Sequence, residues 1–420
     1  MINHKSISNK LYTYWKNLGP GLITGASDDD PSGIATYSQA GAAFGFSTLW
    51  TALLTFPLMA AIQEMCARIG IVTGEGLTGT IKRHYSKSLL YVMILFSFPA
   101  ITLNIGADIQ GMGAVAHLLF PQIRAELFCI FFTLMLIFFI VRFPYRKLAA
   151  ALKWLCLSLL LYIIVPFMVH INWLEVIKCT FIPEFHFNKL YFEILVGILG
   201  TTISPYLFFW QANMEVEDVA QKKQQLIVNK FILKNMKKDV DIGMLFSNIV
   251  MFFIILTTGD VLFKAGIFKI DTVEQAALAL KPLAGNFTYI LFAIGIIGTG
   301  LLAIPVLGGA LSYIFSETFG WIGGLDKKFS EAPWFYIVLS ISLIIGLSLN
   351  YFGISPVQAL IYSAVLYGLT APVLIAIILH ICNNKSIMGE FTNKRYANFM
   401  GFLTLIIMSL SSFGLIYLLF

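Results

Sequence analysis

Three consecutive aspartates, Asp28-Asp29-Asp30, run into Pro31-Ser32-Gly33 in the middle of an apolar stretch that extends from Leu18 to Phe44. An ionised carboxylate at bilayer depth is costly, and where one occurs it faces a cavity or a partner. Proline and glycine at the same point interrupt helical hydrogen bonding that lipid cannot replace. An unwound, acidic break inside a membrane span has a direct use: it offers oxygen to a cation.

The rest of the chain is membrane-like. Hydrophobic residues make up 58% and charged residues 12%, with a mean hydropathy of +0.82, which excludes an ordinary soluble domain. Eleven apolar stretches approach the roughly 20 residues a spanning helix needs. They are 18–44, 47–72, 89–120, 124–142, 147–170, 192–216, 240–263, 286–316, 333–352, 355–381 and 397–420. If the N-terminus is cytoplasmic, most of the 28 Lys and Arg fall in cytoplasmic segments; only Arg124, Lys178, Lys189, Lys264, Lys269 and Lys281 fall outside. That asymmetry predicts a multi-pass plasma-membrane protein with its N-terminus inside and its C-terminus outside. The net charge of +6 is then topological, with no nucleic-acid partner implied. The first apolar run, broken by aspartates and lacking a processing site, reads as a span and not as a cleaved leader.

Five cysteines (Cys66, Cys129, Cys156, Cys179, Cys382) and six histidines are dispersed. They form neither a disulfide framework nor a metal-ligand spacing. No nucleophile–base constellation is visible, so neither an enzyme nor a bound cofactor is expected, and a receptor or scaffold would lack any soluble domain to signal with.

A second interruption opens the later half: Gly200-Thr201-Thr202-Ile203-Ser204-Pro205-Tyr206, inside a run otherwise made of Ile, Leu and Phe. Broken first and sixth spans, each opening a set of five, fit the inverted-repeat transporter pattern, in which substrate sits at the midplane between two discontinuous helices. The expected organisation is one integral domain, 1–420. Repeat one covers about 18–170, repeat two about 192–381, and an extra helix about 397–420.

Asp30, next to the backbone freed by Pro31, is the leading ligand candidate. The carbonyls of Thr201 and Thr202 and the Ser204 side chain add the oxygen that hard divalent cations prefer. Asp28 and Asp29 are expected to raise the local cation concentration, at least one of them from an aqueous vestibule. Asp108, in the third span, is either a relay or path residue or a buried acid hydrogen-bonded to Asn104 or to a neighbouring span. Glu64 and Arg68 are an expected intrahelical pair; Glu215, Glu217 and Asp218 read as a solvated helix end, and Tyr206 as packing or gating surface.

Leu18-Gly19-Pro20-Gly21-Leu22, Asp30-Pro31-Ser32-Gly33, Ala67 to Gly74 and Thr201 to Tyr206 together resemble the NRAMP family of divalent-metal transporters over nearly the whole chain. The resemblance implies the eleven-helix, all-α fold of the amino acid–polyamine–cation superfamily, LeuT-like, with helices 1 and 6 broken in a 5+5 inverted repeat. It also implies a metal site around Asp30. Gly33 stands where the family carries an asparagine ligand, Ser204 where it carries methionine, and Tyr206 where it carries histidine. Ile105 and Asp108 stand where it carries the span-three acidic pair, and Ala364 falls near a span-ten glutamine. These departures match the divergent, NRAMP-related magnesium-transporter branch.

The resulting expectation is a secondary transporter importing Mg2+ or Mn2+ by alternating access, without proton coupling and without an obligate protein partner. The metal residues are Asp30, Gly33, Thr201 and Ser204, with Asp28, Asp29, Asn104, Asp108, Thr202 and Tyr206 along the path. The alternatives are a proton-coupled Mn2+/Fe2+ importer and a cation-coupled amino-acid transporter of the same fold. An anionic site would repel the carboxylate of an amino acid.

Overall fold

The computed structural model describes residues 19–145, 147, 159–221 and 228–419. Among these residues there is no strand, and fourteen helices have eight or more residues. In chain order they are α1 (Pro20–Asp28), α2 (Pro31–Phe44), α3 (Trp50–Thr73), α4 (Leu77–His84), α5 (Lys87–Leu119), α6 (Ala125–Arg142) and α7 (Trp173–Phe181). Then follow α8 (Lys189–Thr202), α9 (Pro205–Gln221), α10 (Lys230–Thr258), α11 (Thr288–Phe319), α12 (Pro333–Ser348), α13 (Pro356–Asn383) and α14 (Arg395–Leu419). Eight helical stretches among the described residues are long and apolar enough to cross a membrane, with α8 and α9 taken as one. The first and ninth expected spans correspond to the shorter pieces α1–α2 and α12. Most of the fifth, 147–170, lies outside the described residues.

Helix starts are set by polar caps that apolarity alone does not register. Asn188 accepts from the Tyr191 N–H at 2.8 Å, which starts the sixth span at Lys189. Asn229 accepts from Phe231 and Ile232 N–H, each at 3.0 Å, and starts α10 at Lys230, ten residues before the expected 240. Such caps satisfy N–H groups that have no partner within the helix.

Glycine lets the broken helices approach their neighbours at backbone distance. A Cβ on Gly25 of α1 would lie 2.1 Å from the Gly243 carbonyl oxygen of α10, and one on Gly200 of α8 would lie 2.2 Å from the Gly368 nitrogen of α13. Small residues at helix crossings supply the van der Waals contact that drives association in lipid, where the hydrophobic effect between helices is absent. The start of α1 is capped from a distance: Asp239 of α10 accepts from Gly19 N–H at 3.2 Å and Gly21 N–H at 2.7 Å. Helix α6, by contrast, presents Phe131, Leu134 and Phe138 outward, as a lipid-facing helix does.

Candidate metal site

Both interruptions follow from proline. Pro31 opens α2 and Pro205 opens α9. Each lacks an N–H, and its ring excludes the carbonyl four residues earlier from helical pairing. Those carbonyls belong to Ser27 and Thr201. The Ser27 oxygen accepts from the Tyr206 hydroxyl of the other break at 2.9 Å. The Thr201 oxygen accepts from Ser204 Oγ of its own break at 2.5 Å. One hydrogen bond therefore ties the two breaks together, and the other closes the second break on itself.

Asp30 sits between α1 and α2 in extended backbone and is buried. Its Oδ1 accepts from Gly33 N–H at 2.6 Å, making it the N-cap of α2, and its Oδ2 accepts from Asn104 Nδ2 of α5 at 2.9 Å. Each oxygen keeps a further lone pair. The helix N-terminus also favours negative charge here. A Cβ on Gly33 would stand 3.2 Å from Thr201 Oγ1, 3.2 Å from the Asp28 carbonyl and 3.4 Å from Asp30 Oδ1. Gly33 thus marks the point where the Asp30 carboxylate, the Asp28 carbonyl and the Thr201 hydroxyl of break two converge.

Several expectations need correction. The Thr201 carbonyl already accepts one hydrogen bond, and it is the Thr201 hydroxyl that lies beside Gly33. Ser204 points its O–H back to its own turn, at Gly200 O (3.1 Å) and Thr201 O, leaving only lone pairs free. Thr202 Oγ1 likewise donates back to the Ile198 carbonyl. Asp28 and Asp29 open onto no vestibule in this conformation. Both are fully buried against α10, where Ser247 Oγ lies 2.6 Å from Asp28 Oδ2 and 3.3 Å from Asp29 Oδ1. Asp108 is buried too, but Asn104 bonds to Asp30 and to Ser363 Oγ (2.9 Å), and both Asp108 oxygens lack a hydrogen-bond partner. Glu215 is buried and accepts from Gln211 Nε2 at 2.9 Å, and Glu217 accepts from Tyr313 OH at 2.5 Å, so neither forms a solvated helix end. The Glu64–Arg68 pair is present at 3.0 Å. Arg68 also donates to the Phe391 carbonyl at 2.7 Å.

Ser32, Ser247 and Ser363 were not singled out by the sequence. A lone serine in a membrane span carries no local signal, and only the folded chain brings Ser247 to Asp28 and Ser363 to Ser32 and Asn104. Among the described residues, no three His, Cys, Asp or Glu side chains converge. The donors at the breaks are instead one carboxylate, hydroxyls and carbonyls, a set suited to a hard cation.

Beside the first break an apolar cavity is lined by Pro31, Gly111, Val115, Ile270 and Leu360. Gln39 of α2 ties that helix to residues 268–270, donating to Phe268 O at 3.1 Å and accepting from Ile270 N–H at 2.8 Å. Glu317 of α11 accepts from Gly76 N–H at 2.8 Å and Gly79 N–H at 2.9 Å at the start of α4.

Two proline-broken helices meeting at a buried carboxylate, in a bundle that is helical and without strands among the described residues, have the arrangement of the LeuT-like fold. Residues 21–418 match the Nramp family, described as natural resistance-associated macrophage protein-like, and the chain belongs to that family. Relatives include the divalent metal cation transporter MntH of Clostridium acetobutylicum, 25% identical with 100% of this chain and 96% of the relative covered. MntH of Staphylococcus saprophyticus is 26% identical over 98% of this chain and 93% of its own. Among solved structures, a manganese transporter of Eremococcus coleocola superposes with a TM-score of 0.73 at 20% identity, covering 95% of this chain and 86% of its own. Mhp1, a nucleobase-cation-symport-1 family transporter, superposes at 0.58 and 13% identity, covering 96% and 91%. Both likenesses bear on the fold.

Proposed function

We propose that this protein imports a hard divalent cation, Mg2+ or Mn2+, across the plasma membrane by alternating access, with no proton carried alongside. The observation that carries the reading is the convergence of Asp30 Oδ1 and Thr201 Oγ1 on the side-chain-free face of Gly33. Asp30 is the charged ligand, and Thr201 and Ser204 contribute hydroxyl oxygen. Gly33 leaves room for retained water, which Mg2+ gives up reluctantly. Neither sulfur nor imidazole stands at the aligned positions, so the preference for softer transition metals that such ligands confer is lost. The full-length relatives named as divalent metal cation transporters support the cargo class.

The two repeats, about 18–170 and 192–381, rock about this point, with the chain beginning in the cytoplasm and ending outside. Tyr206 in place of histidine, and a span-three pair reduced to Asp108, remove two groups suited to passing a proton. An inside-negative potential is sufficient drive, at about 4.6 kcal/mol per divalent ion at 100 mV. The test is flux into liposomes with Mg2+, Mn2+ and Ca2+, with and without a pH gradient. Uptake of Mg2+ or Mn2+ that ignores the gradient is expected; uptake that requires it would restore the proton-driven alternative.

A further inference from the structure

Asp30 belongs to a ring of four buried side chains drawn from three spans. Asn104 Nδ2 donates to Asp30 Oδ2 at 2.9 Å, and Ser363 Oγ of α13 donates to Asn104 Oδ1 at 2.9 Å. Ser363 Oγ lies 3.0 Å from Ser32 Oγ, and Ser32 stands two residues beyond Asp30 in the same break. Ser32 Oγ also lies 2.8 Å from the Leu360 carbonyl.

The hydrogens in this ring have a direction. An ionised carboxylate only accepts, so the Asn104 amide must turn its NH2 toward Asp30 and its oxygen toward Ser363. Ser363 has one hydrogen and three acceptors in reach, Asn104 Oδ1, the Leu360 carbonyl at 2.8 Å and Ser32 Oγ at 3.0 Å. Ser32 can supply Leu360, which leaves the Ser363 hydrogen for the amide. The ring thus delivers a donor to Oδ2 while Gly33 N–H occupies Oδ1. A carboxylate with a donor on each oxygen has its plane fixed, and one of the two in-plane lone pairs on each oxygen is already taken.

We propose that Asn104, positioned by Ser363, is a selectivity residue that holds Asp30 to monodentate ligation and so discriminates against Ca2+. Small octahedral ions such as Mg2+ take single carboxylate oxygens and keep several waters, whereas Ca2+ accepts bidentate carboxylates at longer distance and higher coordination number. The proposal rests on Asp30 being the metal ligand, as argued above.

The experiment measures binding of Mg2+, Mn2+ and Ca2+ to the purified full-length protein by calorimetry, and their competition for uptake in proteoliposomes. Removing a partner that orients a ligand costs 10–100-fold in metal affinity in known sites. Asn104→Leu is therefore expected to weaken Mg2+ and Mn2+ binding about 10-fold while leaving Ca2+ within a factor of about two. Ser363→Ala moves the ratio in the same direction by a smaller factor, and Ser363→Thr, which keeps the hydroxyl, restores it. A purely structural loss would weaken all three ions together, and that outcome, or an unchanged ratio in Ser363→Ala, overturns the proposal. Asp30→Asn is run alongside. If it still binds metal, the reading of Asp30 as ligand fails; if it abolishes binding while the ratio in Asn104→Leu stays fixed, only the selectivity role fails.

Discussion

The two breaks begin from the same chemistry and end differently. In each, a proline removes one N–H and frees the carbonyl four residues before it. Break two satisfies that carbonyl locally, through Ser204 Oγ, within a few residues of sequence. Break one leaves its Ser27 carbonyl to be satisfied by Tyr206, 179 residues away. Break one also carries three buried carboxylates that lean on other elements: the single Ser247 hydroxyl lies 2.6 Å from Asp28 and 3.3 Å from Asp29, and Asn104 and Gly33 donate to Asp30. A self-satisfied break holds its shape as its neighbours move. A break bonded to three other spans registers their positions.

The strongest way to break this comparison is to remove the charge from Asp30. Asp30→Asn is expected to reduce divalent uptake in proteoliposomes by more than about 100-fold, beyond the range seen for partners of ligands. Asp28→Asn should keep uptake within about 10-fold, because it relieves two crowded buried carboxylates instead of removing a ligand. Normal uptake in Asp30→Asn with loss in Asp28→Asn would place the site against Ser247.

A smaller effect sharpens the part played by Thr201. Combining Gly33→Asn with Ser204→Met crowds the Thr201 hydroxyl, 3.2 Å from where the new Cβ would lie. This double variant should lose uptake of all ions. Adding Thr201→Ala should restore uptake with a preference shifted roughly 10-fold from Mg2+ toward Cd2+, since a thioether favours soft ions. Equal recovery for Mg2+ and Cd2+ would remove Gly33 and Ser204 from the site.

The link between the breaks gives a third test. Tyr206→Phe leaves the Ser27 carbonyl buried and unpaired, a cost of about 1–3 kcal/mol. It should lower the unfolding midpoint in detergent and also slow uptake. If it lowers the midpoint without touching uptake, the bond is structural and does not communicate between the breaks. The smallest expected change is in intravesicular pH: none during metal uptake. Acidification that tracks metal entry and vanishes in Asp30→Asn would show coupling.

Much of this molecule was legible before folding. Apolar run lengths located the eight long apolar helices of the described residues, because bilayer thickness fixes how many residues must cross. The prolines located both breaks, because a missing N–H is a local fact. Asp30 was legible for the same reason, as a carboxylate beside a proline in an apolar run. The Glu64–Arg68 pair followed from helical spacing alone. Polar helix starts were less legible, since Asn229 and the charged turn after it resemble a loop in composition.

The tertiary structure decided which oxygen of each candidate is free. Thr201 turns its hydroxyl toward Gly33 while Ser204 bonds its carbonyl, and Asn104 bonds Asp30 and not Asp108 because α5 and α13 present it there. Asp28 and Asp29 turn to α10 because Gly25 and Gly243 allow α1 and α10 to touch at backbone distance. The chain by itself determined where membrane, break and charge must fall, since each follows from local covalent chemistry and the cost of burying polar groups in lipid. Which donor meets which acceptor depends on contacts between residues up to about 330 positions apart, such as Ser32 with Ser363, and only the packed helices supply those.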